Sequence, residues 1–135
     1  MPTVALDASV AVAWILESEN VPHGVREAAM AEGAIVPAIW HLEVANALLM
    51  AQRRGRISSS DRAAALFRLS RFPIEVDSET NTSAWAETYD LAVEHQLTLY
   101  DAAYLELAQR RALPLASLDG ALRAGAAAAG IALLP

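Results

Sequence analysis

The sequence predicts an α/β fold, a short parallel sheet covered by helices on both faces. Short apolar stretches, "TVALD" (3–7), "AIVP" (34–37), "IEV" (74–76), "LASLD" (115–119) and "IALL" (131–134), alternate with longer helical segments. Continuous apolar strands of this kind suit a parallel sheet buried on both faces. The breaks fall where chain-turning residues stand, at Pro22, Gly33, Gly55, Pro73 and Pro114. At 135 residues and 55% hydrophobic content, the chain is long and apolar enough for one buried core, so a single domain over 1–135 is expected.

Each element has a local reason. "TVALD" is followed directly by a helix, "ASVAVAWILESE" (8–19), closed by Asn20 and Pro22. A short helix over 23–32 ends at Gly33 and leads into the second strand. "AIWHLEVANALLMAQRR" (38–54) is a long helix, apolar on nearly every side and ended by Gly55. Three serines at 58–60 offer a cap for the helix 60–71, which Pro73 stops. Joined by "GRISS", the helices 38–54 and 60–71 read as a helical hairpin protruding from the sheet. After "IEV" come a helix over 82–95 and another opening at "TLYDAAYLELA" (98–108), where Thr98 and Asp101 form a capping-box variant. The strand 115–119, a helix over 120–129 and the strand 131–134 complete the chain. The helices at 38–71 and 82–111 interrupt simple strand–helix alternation.

Composition removes several classes of function. With no cysteine there is no disulfide, no thiolate metal site and no Cys nucleophile. The longest stretch free of charged residues, 124–135, is too short to span a bilayer and carries Gly125 and Gly130. No basic segment precedes an apolar run with a cleavage site, so a soluble cytoplasmic protein is expected. The chain also lacks lysine, which removes a P-loop Lys and a Schiff-base Lys, and "LDASVA" lacks the second acid of a phosphotransfer site. The net charge of −6 runs against a general nucleic-acid binder. Yet all ten basic residues are Arg, and Arg53, Arg54, Arg56, Arg62, Arg68 and Arg71 fall within 53–71. Two readings fit that cluster: solvated helix faces, or planar donors for phosphate or carboxylate.

Four acids are brought to one edge by this topology. Asp7 and Asp119 end strands, and in a parallel sheet such positions share the carboxyl edge, where open α/β folds place ligands. Asp101 begins a helix that runs back toward the strand ending at Asp119, so it starts near the same edge. Glu43 lies about 7–8 Å along the helix after the second strand. Each acid also has a plain structural reading. Asp7 and Asp119 can cap helices and Asp101 can complete its capping box. Glu43 can face solvent or bond Asn46 one turn away. Taken together, these are four separate coincidences against one cation site. Clustered carboxylates repel one another unless a cation intervenes. Oxygen donors with few histidines suit Mg²⁺ or Mn²⁺, ions that polarise a phosphoryl oxygen and lower the pKa of a bound water. Metal-assisted phosphodiester hydrolysis is the reaction that fits best.

Asp7 in "LDASV", Glu43 in "WHLEVANAL", Asp101 in "YDAAYLELA" and Asp119 in "LASLDGAL" resemble, in order and context, the acidic signature of PIN-domain nucleases. The closest likeness is to the VapC-type ribonuclease toxins of bacterial toxin–antitoxin modules, and it runs from residue 3 to about 133. The resemblance implies an α/β/α sandwich and Mg²⁺- or Mn²⁺-dependent cleavage of RNA, often tRNA or rRNA. It also implies a homodimer and a small antitoxin that blocks the acidic pocket. Asp7, Glu43, Asp101 and Asp119 are then the catalytic, metal-holding residues, with Ser9, Asn46 and Ser117 in supporting positions. No further aspartate follows in "DGAL", which leaves one metal ion or two open. The alternatives are a catalytically silent PIN-like binding module, or a PIN nuclease of RNA processing without an antitoxin. His23, His41 and His95 are scattered and read as surface or packing residues, and Trp14, Trp40 and Trp85 as core packing.

Overall fold

The computed structural model describes residues 1–16 and 31–135. Its elements run β1 (Val4–Leu6), α1 (Ala8–Ile15), β2 (Ala34–Val36), α2 (Trp40–Arg53), α3 (Ser59–Leu69) and β3 (Ile74–Val76). They continue with α4 (Thr80–Ser83), α5 (Glu87–His95), α6 (Leu99–Arg111), β4 (Leu115–Ala116) and α7 (Gly120–Ala128). The four strands are all parallel, in the order β3-β2-β1-β4. The chain steps outward from β1 to β2 to β3 and then returns to the other side of β1 for β4. The carboxyl ends of β1 and β4 therefore flank the point where strand order reverses, the crevice in which open α/β sheets bind ligands.

Helices cover the sheet as an α/β/α sandwich. α1, α2 and α3 pack together, while α6 lies on β1 and β4 and is flanked by α4, α5 and α7. β1, β2 and β4 are fully buried and meet Val10, Trp14, Trp40, Leu48, Leu105 and Leu107 in one core. The hairpin of α2 and α3 turns at Gly55, and α3 opens with a full capping box in which Ser58 and Asp61 each bond the other's backbone N–H. Gly33 is required where it stands: its φ is +87°, and a Cβ there would lie 2.5 Å from the Pro73 carbonyl oxygen, which Ala34 N–H bonds to register β2 beside β3.

A second polar cluster ties α6 to the loop after β3. Arg110 donates to both carboxylate oxygens of Asp77 (3.2 and 2.6 Å), both of Glu106 (2.8 and 3.1 Å) and one of Glu79 (3.0 Å). Asp77 and Glu106 are buried, so this guanidinium makes their burial tolerable.

Several expected boundaries move. The first strand ends at Leu6, leaving Asp7 as the N-cap of α1. The helix expected over 8–19 is described to Ile15, and that over 23–32 lies almost wholly outside the described residues. The strand expected over 115–119 keeps only Leu115–Ala116, because Ser117 turns its hydroxyl to Asp7 and to the Asp119 N–H. That expected over 131–134 is a single bridge, Leu133 beside Leu115. The helix expected over 82–95 is two helices, broken where Ala86 adopts φ −124°, ψ −103°. Trp85 sits at that break, 94% exposed, and does not pack in the core as expected; Trp14 and Trp40 do.

Candidate active site

The four acids line one cavity of about 850 Å³ at the strand-order reversal, together with Ser9, Arg54 and Arg56. Asp7 is delivered by the step from β1 into α1. Although it occupies the N-cap position, its side chain does not cap the helix. Its Oδ2 instead accepts hydrogen bonds from the hydroxyls of Ser9 (2.6 Å) and Ser117 (2.7 Å). Each serine is itself fixed, Ser9 Oγ by the Leu118 N–H and Ser117 Oγ by the Asp119 N–H, both at 3.0 Å. The two serines thus tie the ends of β1 and β4 to one carboxylate. Burial pushes the Asp7 carboxyl above its ordinary range, the two hydroxyls oppose that rise, and Asp119 adds to it by repulsion.

Glu43 falls in the first turn of α2, since that helix begins at Trp40 and not at 38. A carboxylate there is favoured by the helix dipole. Its side chain reaches across to α6, where the Tyr104 hydroxyl donates to Oε1 at 2.5 Å. Burial raises the Glu43 carboxyl, the Tyr104 bond opposes this, and Asp7 and Asp101 add repulsion. Tyr104 is fully buried, and its hydroxyl is pushed far above its ordinary range by burial and by the carboxylate it serves, so it remains a donor. Asn46, expected to steady Glu43, is exposed and takes no part; Tyr104 holds that place. Tyr104 was legible one turn beyond Asp101 on the same helix face, but the run of apolar neighbours reads as core.

Asp101 and Asp119 keep part of their plain structural roles. Thr98 caps α6 by accepting from the Asp101 N–H at 3.1 Å, and Asp119 caps α7 by accepting from the Leu122 N–H at 2.8 Å. Both carboxylates nevertheless line the cavity. Burial raises the Asp101 carboxyl, and repulsion from Asp119 and then Asp7 raises it further. Three acids are thus held above their ordinary range, by burial first and in part by one another.

The donor chemistry fits a hard divalent cation. Among the described residues no three His, Asp or Glu side chains are spaced to hold an ion by themselves. The donors that line the cavity are carboxylate and hydroxyl oxygens, the ligand type of Mg²⁺ or Mn²⁺, ions that keep several waters and take one or two carboxylates. Among the described residues no helix is long and apolar enough to cross a membrane.

Comparison with known proteins agrees with the α/β fold. The PIN domain family model matches residues 4–127. The chain is similar to Ribonuclease VapC3 of Pyrobaculum aerophilum, 28% identical over 116 residues that cover 86% of this chain and 88% of the relative. Among solved structures it is similar to PAE2754 of the same organism, with a TM-score of 0.70, 27% identity, and coverage of 92% of this chain and 79% of that one. It shares its fold with FitAcB of Neisseria gonorrhoeae, with a TM-score of 0.63, 16% identity, and coverage of 98% and 96%.

Proposed function

As the chain belongs to the PIN domain family, we propose that it is a Mg²⁺- or Mn²⁺-dependent endoribonuclease acting as the toxin of a toxin–antitoxin module. One observation carries the reading: Asp7, Glu43, Asp101 and Asp119 line a single cavity at the carboxyl edge of the sheet. The likeness to a relative named Ribonuclease VapC3 supports RNA as the substrate. A cytoplasmic setting, a small antitoxin that closes the cavity, and a homodimer belong to the same proposal.

In this reading Asp7, Glu43, Asp101 and Asp119 are the metal-holding carboxylates. The bound cation would polarise the scissile phosphate and lower the pKa of the attacking water. Ser9 and Ser117 orient Asp7, and their hydroxyl bonds favour its charged form against burial. Tyr104 does the same for Glu43. Supporting groups of this kind are worth about 10–100-fold in metal affinity or activity.

The test is cleavage of single-stranded RNA by the purified chain with Mg²⁺, with Mn²⁺ and with chelator. Cleavage should need the metal, and Asp101→Asn should lower it by at least about a hundredfold, the cation's contribution being several kcal/mol. Equal cleavage by Asp101→Asn at matched metal concentration would overturn the assignment. For the toxin role, expression without a partner should arrest growth and Asp7→Asn should relieve the arrest; growth unaffected by the wild-type chain contradicts it.

A further inference from the structure

The acidic cavity has a second end with the opposite charge. Along α2 and its C-cap, Glu43, Ala47, Met50 and Arg54 lie on successive turns and all line the cavity. Eleven residues of helix place Arg54 ~16 Å from Glu43 along the axis. On α1 the facing wall runs from Ser9 through Val12 to Leu16, and Arg56 lines the basic end beside Arg54. The cavity is therefore a groove between two helices, with acids at one end, guanidinium groups at the other, and small or apolar side chains between.

The arginine cluster divides accordingly. Arg68 donates to the Ile15 carbonyl and Arg71 lies over the Phe67 ring. Elsewhere Arg110 and Arg111 are in ion pairs, and Arg123 bonds two carbonyls. Arg54 and Arg56 are exposed, and neither guanidinium has a hydrogen bond or ion pair among the described residues. They are the cations that line this groove.

We infer that the groove is the track of one RNA strand, with the scissile phosphate at the four acids and a phosphate further along the strand held by Arg54 and Arg56. The inference rests on the nuclease reading above and extends it to substrate positioning. A substrate must occupy the acid end, and the strand flanking it has this groove to run along. At ~3.4 Å per stacked nucleotide the groove spans no more than about five nucleotides. Guanidinium groups grip phosphate with paired donors, and they offset the repulsion between an acidic protein and a polyanion. Among the described residues the side chains between the two ends, Val12, Ala13, Ala47, Met50 and Ala51, are small or apolar, so Arg54 and Arg56 set position along the strand.

Binding of a fluorescent single-stranded RNA 10-mer to the full chain, in chelator to prevent turnover, tests this across a salt series. Two phosphate contacts contribute a slope of about 1.4 in log affinity against log salt. Arg54→Ala/Arg56→Ala should lose that slope, while Arg53→Ala/Arg71→Ala, on the same segment but outside the groove, should keep it. An unchanged slope in the first pair, an equal loss in the second, or no RNA binding by the wild type overturns the inference. So does loss of polyglutamate binding with RNA binding intact, which would assign the arginines to an acidic protein. Because binding is read without turnover, a slope lost in Arg54→Ala/Arg56→Ala beside a wild type that cleaves nothing sinks the nuclease reading and leaves the strand track standing. A wild type that cleaves RNA beside an unchanged slope in Arg54→Ala/Arg56→Ala does the reverse.

Discussion

Arg110→Met should unfold the chain at a much lower temperature, and the loss should depend on pH in a defined direction. Arg110 is the cation for two buried carboxylates, Asp77 and Glu106, whose side chains are 3% and 6% exposed. It makes paired hydrogen bonds to each and a further bond to the exposed Glu79. Methionine fills similar volume and leaves both carboxylates without a counter-charge. Removing one partner of a buried pair costs about 3–5 kcal/mol. For a domain of this size, that corresponds to a fall in Tm of roughly 10–20 °C. In the wild type, burial alone would raise the Asp77 carboxyl. The Arg110 bonds, the Glu79 N–H, the Arg110 charge and Thr80 outweigh burial and hold it below its ordinary value. Its contribution is therefore fully present above the unfolded value of ~3.9 and is lost as pH falls through the folded one. In the variant the unpaired carboxylates are relieved by protonation, so the deficit should shrink between pH 7 and pH 4. Thermal unfolding of both proteins across that range is the assay. A deficit below about 1 kcal/mol at pH 7, or one that does not change with pH, would refute the reasoning.

Other outcomes follow from the site. Tyr104→Phe removes the donor to Glu43 and should lower RNA cleavage by about 10–100-fold while the fold is kept; a wild-type rate would show that Glu43 needs no orienting partner. Ser117→Ala should act through Asp7 to a similar extent, and an intact rate would remove Ser117 from the site. Asp101→Asn should raise the Tm of the metal-free chain. The Asp101 carboxyl is raised by burial and by its acidic neighbours, so its contribution is present below ~3.9 and is lost as pH rises through the folded value. The gain should be larger at pH 7 than at pH 4, and a lower Tm at pH 7 contradicts it. Ala112→Gly should stabilise by up to about 1 kcal/mol in thermal unfolding, since Ala112 ends α6 at φ 53° where a Cβ is strained; a loss would mean that glycine's extra unfolded-state entropy outweighs the relief.

Much of the fold is legible because its signals are local. Buried parallel strands read as apolar runs, and the cap of α3 and the stop at Pro73 are fixed by residues within one turn. What escapes depends on contacts distant in sequence. "LASLD" has the composition of a five-residue strand, but Ser117 leaves the ladder to bond Asp7, 110 positions away. The helix over 82–95 has no Gly or Pro to mark its break, and exposed Trp85 looks like core until the turn is seen. At the site, acid order and context suffice to bring Asp7, Glu43, Asp101 and Asp119 to one cavity. The partner of Glu43 does not follow from context. Asn46 is nearer in sequence, but it is exposed, while Tyr104 faces inward from another helix. At Asp119 and Asp101 a helix cap and a place in the cavity coexist, since one carboxylate caps a helix end and the other's backbone N–H is capped, while both line the cavity.

The proposed nuclease needs a divalent cation at the four acids, and the most direct test is the Tm of the purified chain against Mn²⁺ or Mg²⁺, beside Asp7→Asn/Asp101→Asn. Free metal at about 100 times Kd should add roughly 2.7 kcal/mol, a rise on the order of 10 °C for this size, in the wild type and not in the variant. No rise in the wild type up to high millimolar metal, or an equal rise in both, would contradict a metal site built from these carboxylates.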